Sequence, residues 1–436
     1  MKIVIIGGGP TGMRLADKLS QENNEIILLE KRDKLGGCWR IDWEDNKYFT
    51  EHSPRVMSTN YHNTLKLVKE LNLEDPYRNV YGDQFSSMVM FVSYTLKNMS
   101  ILDIMKFLKG MYSVSELDMR TVEEWIDDNN ITTTGKKSIK NLAMSLATTT
   151  DILSAYIFFK TIYEGFGSGK FIQFKDGDLW IKLWEKKLKR QGVKIYKSRE
   201  VLSVSSDKKN KITKIKTNKG YLKADNFIFA IPLWYLYEMT KNSSDDLFRN
   251  NWLCYEDFIY FSKKSSYSGI GMQLHFKEKQ NLSMEWCNTC MTEWSIVNLV
   301  VSKYLVEFSK DKKVKEVWSL YLGDFNTKSK RLEKRMGQLS EKELKEEVIY
   351  QLEKSLGRKV EPYKITLHCH TDKKGKWVLS DSAYSSTPMG NLKPKGNKIK
   401  NIFSVGPHNL YKLNALETAL ESADIFLKSN FLSSTD

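Results

Sequence analysis

Cysteine is scarce in this chain: five in 436 residues, at positions 38, 254, 287, 290 and 369. An odd, sparse set excludes a disulfide framework and points to a reducing compartment. There is no apolar run of the ~18–20 residues that a membrane-crossing helix requires. The sequence opens straight into a strand-like run, without the basic and then apolar pattern of a secretory leader. Together these absences give the expectation of a cytoplasmic protein. Also missing are internal repeats, low-complexity linkers, a Ser-His-Asp nucleophile elbow and a metalloprotease helix.

Acidic residues fall short of basic ones, 53 against 68, leaving a formal charge of +15. The excess is dispersed in short clusters such as Lys208-Lys209 and Lys310, Lys312, Lys313 and Lys315, and Asp311 and Glu316 dilute the second. No motif that reads RNA or DNA accompanies them, so the pattern is a solvated Lys-rich face rather than a nucleic-acid footprint. An anionic membrane surface or an acidic substrate is the alternative. A hydrophobic share of 41 % and a charged share of 28 % are ordinary for a soluble globular chain. The length exceeds what one small core organises, so two domains are expected.

What is present in strength lies in the first forty residues. Lys2–Ile6 is a β-branched run of the kind found in buried parallel strands. Gly7, Gly9 and Gly12 follow in G-x-G-x-x-G spacing, and a helix is predicted from about Thr11 to Gln21. Gly7 permits the tight turn, Gly9 lets the backbone approach a pyrophosphate, and Gly12 allows close helix–strand packing. The helix N-terminus then offers unpaired N–H groups to phosphate. Glu25–Leu29 forms a second strand. Glu30 stands at its end, 18 residues past Gly12, where a carboxylate accepts ribose hydroxyls and repels a 2′-phosphate.

Glu30-Lys31-Arg32-Asp33-Lys34-Leu35-Gly36-Gly37 then sets a second Gly pair six residues past the acid. This segment resembles the flavin amine oxidase superfamily, which includes monoamine and polyamine oxidases, protoporphyrinogen oxidase, carotenoid desaturases and UDP-galactopyranose mutases. The resemblance implies FAD as cofactor, with Arg32 near the ribose and pyrophosphate and Gly36-Gly37 letting the backbone pass the flavin. Where many members have Arg directly after the Gly pair, this chain has Cys38, and Arg40 two places on.

Two later segments are similar to the same superfamily. Asp178 precedes an amphipathic helix, Trp180–Gln191, which Gly192 stops. Runs at Val193–Tyr196 and Val201–Val204, a hairpin through Lys208–Asn210 and a strand closing at Pro232 follow. In that order Val201 matches the adenine contact. Near the end, Asn401–Gly406 reads as a strand ending in Gly, and Ala415–Ser429 as a helix. Gly406 and Leu416 match the closing FAD segment, with His408 where an acid is common.

The resemblance implies an α/β fold: a Rossmann-type FAD-binding domain (1–83, 168–240 and 384–436) interleaved with an α+β substrate domain (84–167 and 241–383). The first insertion is helical in pattern and Met-rich, with Met88, Met90, Met99, Met105, Met111 and Met119. Such a stripe reads as core, or else as a surface that admits a lipophilic substrate or touches a membrane. The second holds strand runs at Gly271–Phe276 and Val317–Leu322, and a helix opened by the capping box Ser340-x-x-Glu343 and stopped at Gly357.

By the resemblance, an FAD-dependent oxidoreductase passes a hydride from substrate to flavin N5 and is reoxidised by oxygen. The substrate would be an amine or a lipophilic molecule. Trp377, Tyr384 and His52 are the candidates to line the flavin. The strand matched to the family's catalytic Lys, Gly271–Phe276, contains none, and the second wall of the family's aromatic cage is Ala415. Glu51–Asn60 and Gly406–Tyr411 are also similar to mutase segments, where reduced flavin acts on a sugar-nucleotide. A flavoprotein that turns nothing over is the third alternative. Cys287-x-x-Cys290 with His368-x-His370 has a zinc-like composition but no finger spacing, and no metal is expected.

Overall fold

The computed structural model describes residues 1–80, 96–117, 119–146, 148–165, 169–282, 292–379, 382–413 and 415–429. Strand β1 (Lys2–Ile6), helix α1 (Pro10–Leu19) and strand β2 (Glu25–Leu29) form the expected N-terminal βαβ unit. They seed a five-stranded sheet in the order 402–404, 226–229, β1, β2, 194–196, and every neighbouring pair runs parallel. Three widely separated stretches of chain therefore build one sheet.

Alternation along the strands sends side chains to opposite faces. Ile3, Ile5, Ile26, Leu28, Ile228 and Phe403 face one core, which also holds Met13, Leu15 and Leu19 of α1 and Trp180 and Trp184 of the helix Leu179–Arg190. Leu420 and Phe426 of the last helix, Leu416–Lys428, close that layer. Val4, Ile6, Ile27, Leu29, Phe227 and Phe229 face the other. There they meet Val201, Val204, Ile212 and Ile215 of an antiparallel meander, Val201–Ser206, Ile212–Thr217 and Gly220–Lys223. Each fully buried Leu or Ile contributes about 1.5–3 kcal/mol relative to an exposed one, so both faces must be covered for the sheet to persist.

A second sheet of four antiparallel strands runs 297–300, 316–322, 270–276, 364–367. Ile270, Met272, Leu274 and Phe276 pack with Trp318 and Leu320 against the helix Glu341–Leu356. Both capping-box bonds of Ser340 and Glu343 are made, and Gly357 ends that helix in the left-handed region at φ +66°. The opposite face of this sheet gives Val317, Leu299 and Tyr321 to a helical core with Phe107, Trp125 and Phe159. The antiparallel sheet is thus sandwiched between the helical insertion and one long helix.

The methionines of the insertion divide. Met99 and Met111 are buried, whereas Met105 and Met119 stand in solvent. Met88 and Met90 lie outside the described residues. No helix among the described residues is long and apolar enough to cross a membrane.

Candidate functional site

The C-terminal ends of β1 and β2 open onto a cavity of about 1020 Å³ that continues past the loop Ser53–Arg55 to the helix Ala155–Gly165. Ligands bind at this end of doubly wound sheets because strand-to-helix turns present free backbone donors there. The turn after β1 is shaped by its glycines. Gly7 sits at φ +112°, and a Cβ on it would fall 2.3 Å from the Ala230 carbonyl oxygen. A Cβ on Gly12 would fall 1.9 Å from the Gly7 carbonyl oxygen, so this glycine is a packing residue beneath the cavity. Gly9, by contrast, has only Gly37 Cα near, at 3.9 Å, and lines the cavity.

The first turn of α1 is prepared for an anion. Gly9 occupies its N-cap, Pro10 follows, no side chain caps it, and it holds no acidic residue. Its free N–H groups and dipole therefore face the cavity uncompensated. Beside it the buried Glu30 carboxylate accepts the Gly8 N–H at 2.8 Å and the Arg32 N–H at 2.9 Å. Burial pushes its pKa above the usual carboxylate range, and those two N–H groups oppose the shift. An ionised carboxylate offers about four acceptor positions, so two remain for a diol.

Lys31, Arg32, Arg199, Val201 and Tyr235 complete this end, with Lys31 Nζ 3.4 Å from the centre of the Tyr235 ring. Gly37 lines the cavity, but Gly36 does not. At φ +106°, Gly36 turns the chain, and a Cβ there would strike Ile181 at 2.5 Å.

Further in, Arg40, His52 and Arg55 line the cavity. Arg40 donates to the Gly37 carbonyl at 2.7 Å and to Asp42 at 3.2 Å, and its guanidinium lies 3.5 Å from His368 Nε2. Arg55 donates to the carbonyls of Arg40, at 2.7 Å, and Cys38, at 3.0 Å, holding the loop after the Gly pair in place. His52 meets His368 edge-to-face, with ring centres 5.7 Å apart. Arg55 and His368 were not singled out from sequence. Their only signal was the loop Glu51–Asn60 for one and the His-x-His pair for the other.

Gly406, His408 and Tyr384 form the next wall. His408 bonds Ser404 through Nε2 at 2.8 Å, and burial pulls its pKa down to about 4, so its ring is neutral. Tyr384 donates its hydroxyl to the Gly390 carbonyl at 3.1 Å, which leaves the ring as a surface rather than an acid. Leu416 does not reach the cavity: it is fully buried in the core under the parallel sheet, while Ala415 and Glu417 line the wall on either side of it.

Trp377 requires a correction. It packs in the core between the antiparallel sheet and the helix Glu341–Leu356, with its indole N–H donated to the Leu339 carbonyl at 2.9 Å. An indole satisfied in an apolar core has no reach toward the cavity. His370 bonds Glu341, and Cys287 and Cys290 lie outside the described residues.

The far end is built by the helical insertion, from residues that were not named from sequence. Ile157, Lys160, Thr161 and Glu164 come from the helix Ala155–Gly165. Tyr411 stacks on Tyr156, with rings 5.7 Å apart and 6° from parallel, and its hydroxyl lies 2.6 Å from Ser154 Oγ. Lys31, Lys160 and Lys412 are the cavity lysines among the described residues. None is on the strand Ile270–Phe276. That strand presses Gly271 against the chain at Glu51 instead, where a Cβ would lie 2.0 Å from the Glu51 carbonyl oxygen.

Comparison with known proteins agrees with this geometry. Residues 5–71 match the NAD(P)-binding Rossmann-like domain family. A UDP-galactopyranose mutase of Mycoplasma genitalium is 32 % identical over 75 residues, a match covering 16 % of this chain and 19 % of the mutase. Among solved structures, a protein described as a protoporphyrinogen oxidase from Exiguobacterium sp. 255-15 superposes with a TM-score of 0.62 at 15 % identity, covering 99 % of both chains. Cyclohexylamine oxidase from Brevibacterium oxydans IH-35A superposes with a TM-score of 0.63 at 11 % identity, again over 99 % of both. The chain has the two-part fold of these oxidases, with a Rossmann-like unit at its N-terminus.

Proposed function

We propose that this chain is an FAD-dependent oxidoreductase that accepts a hydride from a small substrate held at the Tyr384–Tyr411 end of the cavity. One observation carries the reading: a single cavity runs from the Gly9–Glu30 cradle to the wall of Tyr384, Tyr411 and Lys160. Drug-sized ligands occupy pockets of roughly 300–1,000 Å³. A cavity at the top of that range is of a size to support this reading.

The residues present fit the cofactor. Glu30 has acceptor positions for ribose hydroxyls, the uncapped turn of α1 has donors for pyrophosphate, and the close pair Gly9 and Gly37 leaves the backbone open to it. Val201 gives an apolar surface for adenine. FAD, when bound, supplies the hydride acceptor. The protein's part is to orient the substrate between Tyr384 and Tyr411, keep water out, and hold neutral His408 where it adds no charge. Amines and lipophilic molecules are the substrate classes proposed, with oxygen as the final oxidant.

A second reading has its own support. The loop Ser53–Arg55 lines the cavity, and the chain shares a stretch of sequence with a UDP-galactopyranose mutase. A mutase-like enzyme would require the flavin to be reduced before turnover.

The test is the visible spectrum of purified protein, with and without an anaerobic panel of amines, porphyrinogens and UDP-sugars. Bleaching of flavin bands by an amine or porphyrinogen, with peroxide on readmission of air, supports the oxidase. Sugar isomerisation only after dithionite reduction supports the mutase. A protein that takes up no FAD overturns both.

A further inference from the structure

The helix Ile101–Tyr112 has two apolar faces. Its inner face seats Phe107, Gly110 and Met111, and Gly110 lies so close to Phe159 that a Cβ would come within 2.8 Å of the ring. Ser100 caps it, and buried Asp103 ties it to Thr132 at 2.5 Å. This helix is anchored, so its outer face is a fixed surface.

That outer face is apolar and open. Ile101 is 80 % exposed, Met105 62 % and Tyr112 79 %, with Leu102 and Leu108 beside them. Positions 101, 105, 108 and 112 recur at the spacing of a single helical stripe. Exposed Tyr163 extends the stripe from the helix Ala155–Gly165, its ring centre 6.5 Å from that of Tyr112. Exposed Lys97 and Lys109 flank it, and Lys106 lies alongside with its amine at the Asn130 carbonyl. An apolar stripe edged with lysines on a chain of net charge +15 is complementary to an anionic bilayer surface.

The second helix links this face to the cavity. Its Ile157, Lys160, Thr161 and Glu164 line the cavity, while Tyr163, next to Glu164, belongs to the exposed stripe. The rim of the cavity and the apolar face therefore share one helix end.

We propose that the stripe Ile101, Leu102, Met105, Leu108, Tyr112 and Tyr163 docks on an anionic lipid surface, with Lys97, Lys106 and Lys109 at the headgroups. The stripe would bury its side chains at the acyl boundary without crossing it. A lipophilic molecule leaving the bilayer would then meet the cavity rim directly.

The test is sedimentation of the full chain with vesicles of phosphatidylcholine, alone or mixed with phosphatidylserine. The wild type is expected to sediment with the mixed vesicles. The variant Ile101→Ser, Met105→Ser, Tyr112→Ser should lose about tenfold in partitioning, with an unchanged melting temperature, because all three side chains are already solvated. Lys97→Gln with Lys109→Gln should lower only the preference for the anionic lipid. Absence of binding to either vesicle overturns the proposal. So does binding that the triple variant retains and salt abolishes, which would assign it to scattered lysines. Self-association that the triple variant removes, without vesicle binding, would assign the face to a second copy and overturn it equally. Lipid partitioning is read without substrate, so it stands apart from the flavin test.

Discussion

Glu417 fastens Asn63 with one oxygen: Oε1 accepts both the backbone N–H and the side-chain amide of Asn63, each at 2.8 Å. Its other oxygen takes the N–H of Thr64 at 2.9 Å and the Thr64 hydroxyl at 3.0 Å. One carboxylate from the last helix thus closes the first turn of the helix His62–Glu70, and both lie at the cavity wall. Glu417→Ala leaves these donors unpaired and should cost about 1–3 kcal/mol in urea denaturation. Glu417→Gln, which keeps one acceptor oxygen, should cost less. An alanine variant as stable as wild type would show that the clamp does not hold this wall.

The glycines of the first turn should separate binding from folding. Gly9 has ordinary extended backbone and open space, so Gly9→Ala should melt like the wild type while its methyl enters the cradle and lowers FAD uptake. Gly12→Ala places a methyl 1.9 Å from the Gly7 carbonyl oxygen and should impair the fold itself. Melting curves and bound flavin per protein, measured on both, check the pair.

Buried His408 and His275, each with pKa lowered to about 4 by burial, predict acid sensitivity. The unfolded chain takes up these protons near pH ~6.5, whereas the folded chain resists them until about pH 4. Stability from each is therefore complete above the unfolded value and is lost as pH falls from ~6.5 toward about 4, on the order of 3 kcal/mol. His408→Asn should flatten the fall in urea midpoint across that window. An unchanged slope would mean that His408 is already protonated in the native state.

Trp377 and Tyr384 should part company. Trp377→Phe deletes an indole donor in a core and off the cavity wall, and should lower stability by about 1 kcal/mol without moving a flavin spectrum. Tyr384→Phe removes a hydroxyl already bonded to Gly390, so the wall persists; Tyr384→Ala removes the wall and should raise KM for the substrate. If Trp377→Phe shifts the flavin bands, the core placement fails as the account of that residue.

The βαβ unit was readable because each of its parts answers to local chemistry: β-branched residues for a buried strand, glycines where a Cβ has no room, and an acid at a strand end. Ser340, Glu343 and Gly357 were equally local. Trp377 could not be placed, because a Trp in a core and a Trp at a cofactor have the same neighbours in sequence. Lys160 and Glu164 were missed because their role comes from tertiary contact between an inserted helix and a distant sheet. Val201 and Leu416 illustrate the middle case: order along the chain found the right elements, but only packing shows that Val201 faces the cavity and Leu416 the core.

The parallel sheet imposes an order of assembly. Its edge strand comes from residues 402–404, and the Thr11 hydroxyl bonds the Ala419 carbonyl, 408 positions away. At 5–20 residues per second, a ribosome needs about 20–80 s to span that interval. Through all of it the apolar side of α1 lacks the helix that covers it, and the cavity lacks its last wall. The N-terminal half therefore leaves the ribosome with apolar surface still to be covered, and the cavity above β1 is complete only when the last helix docks.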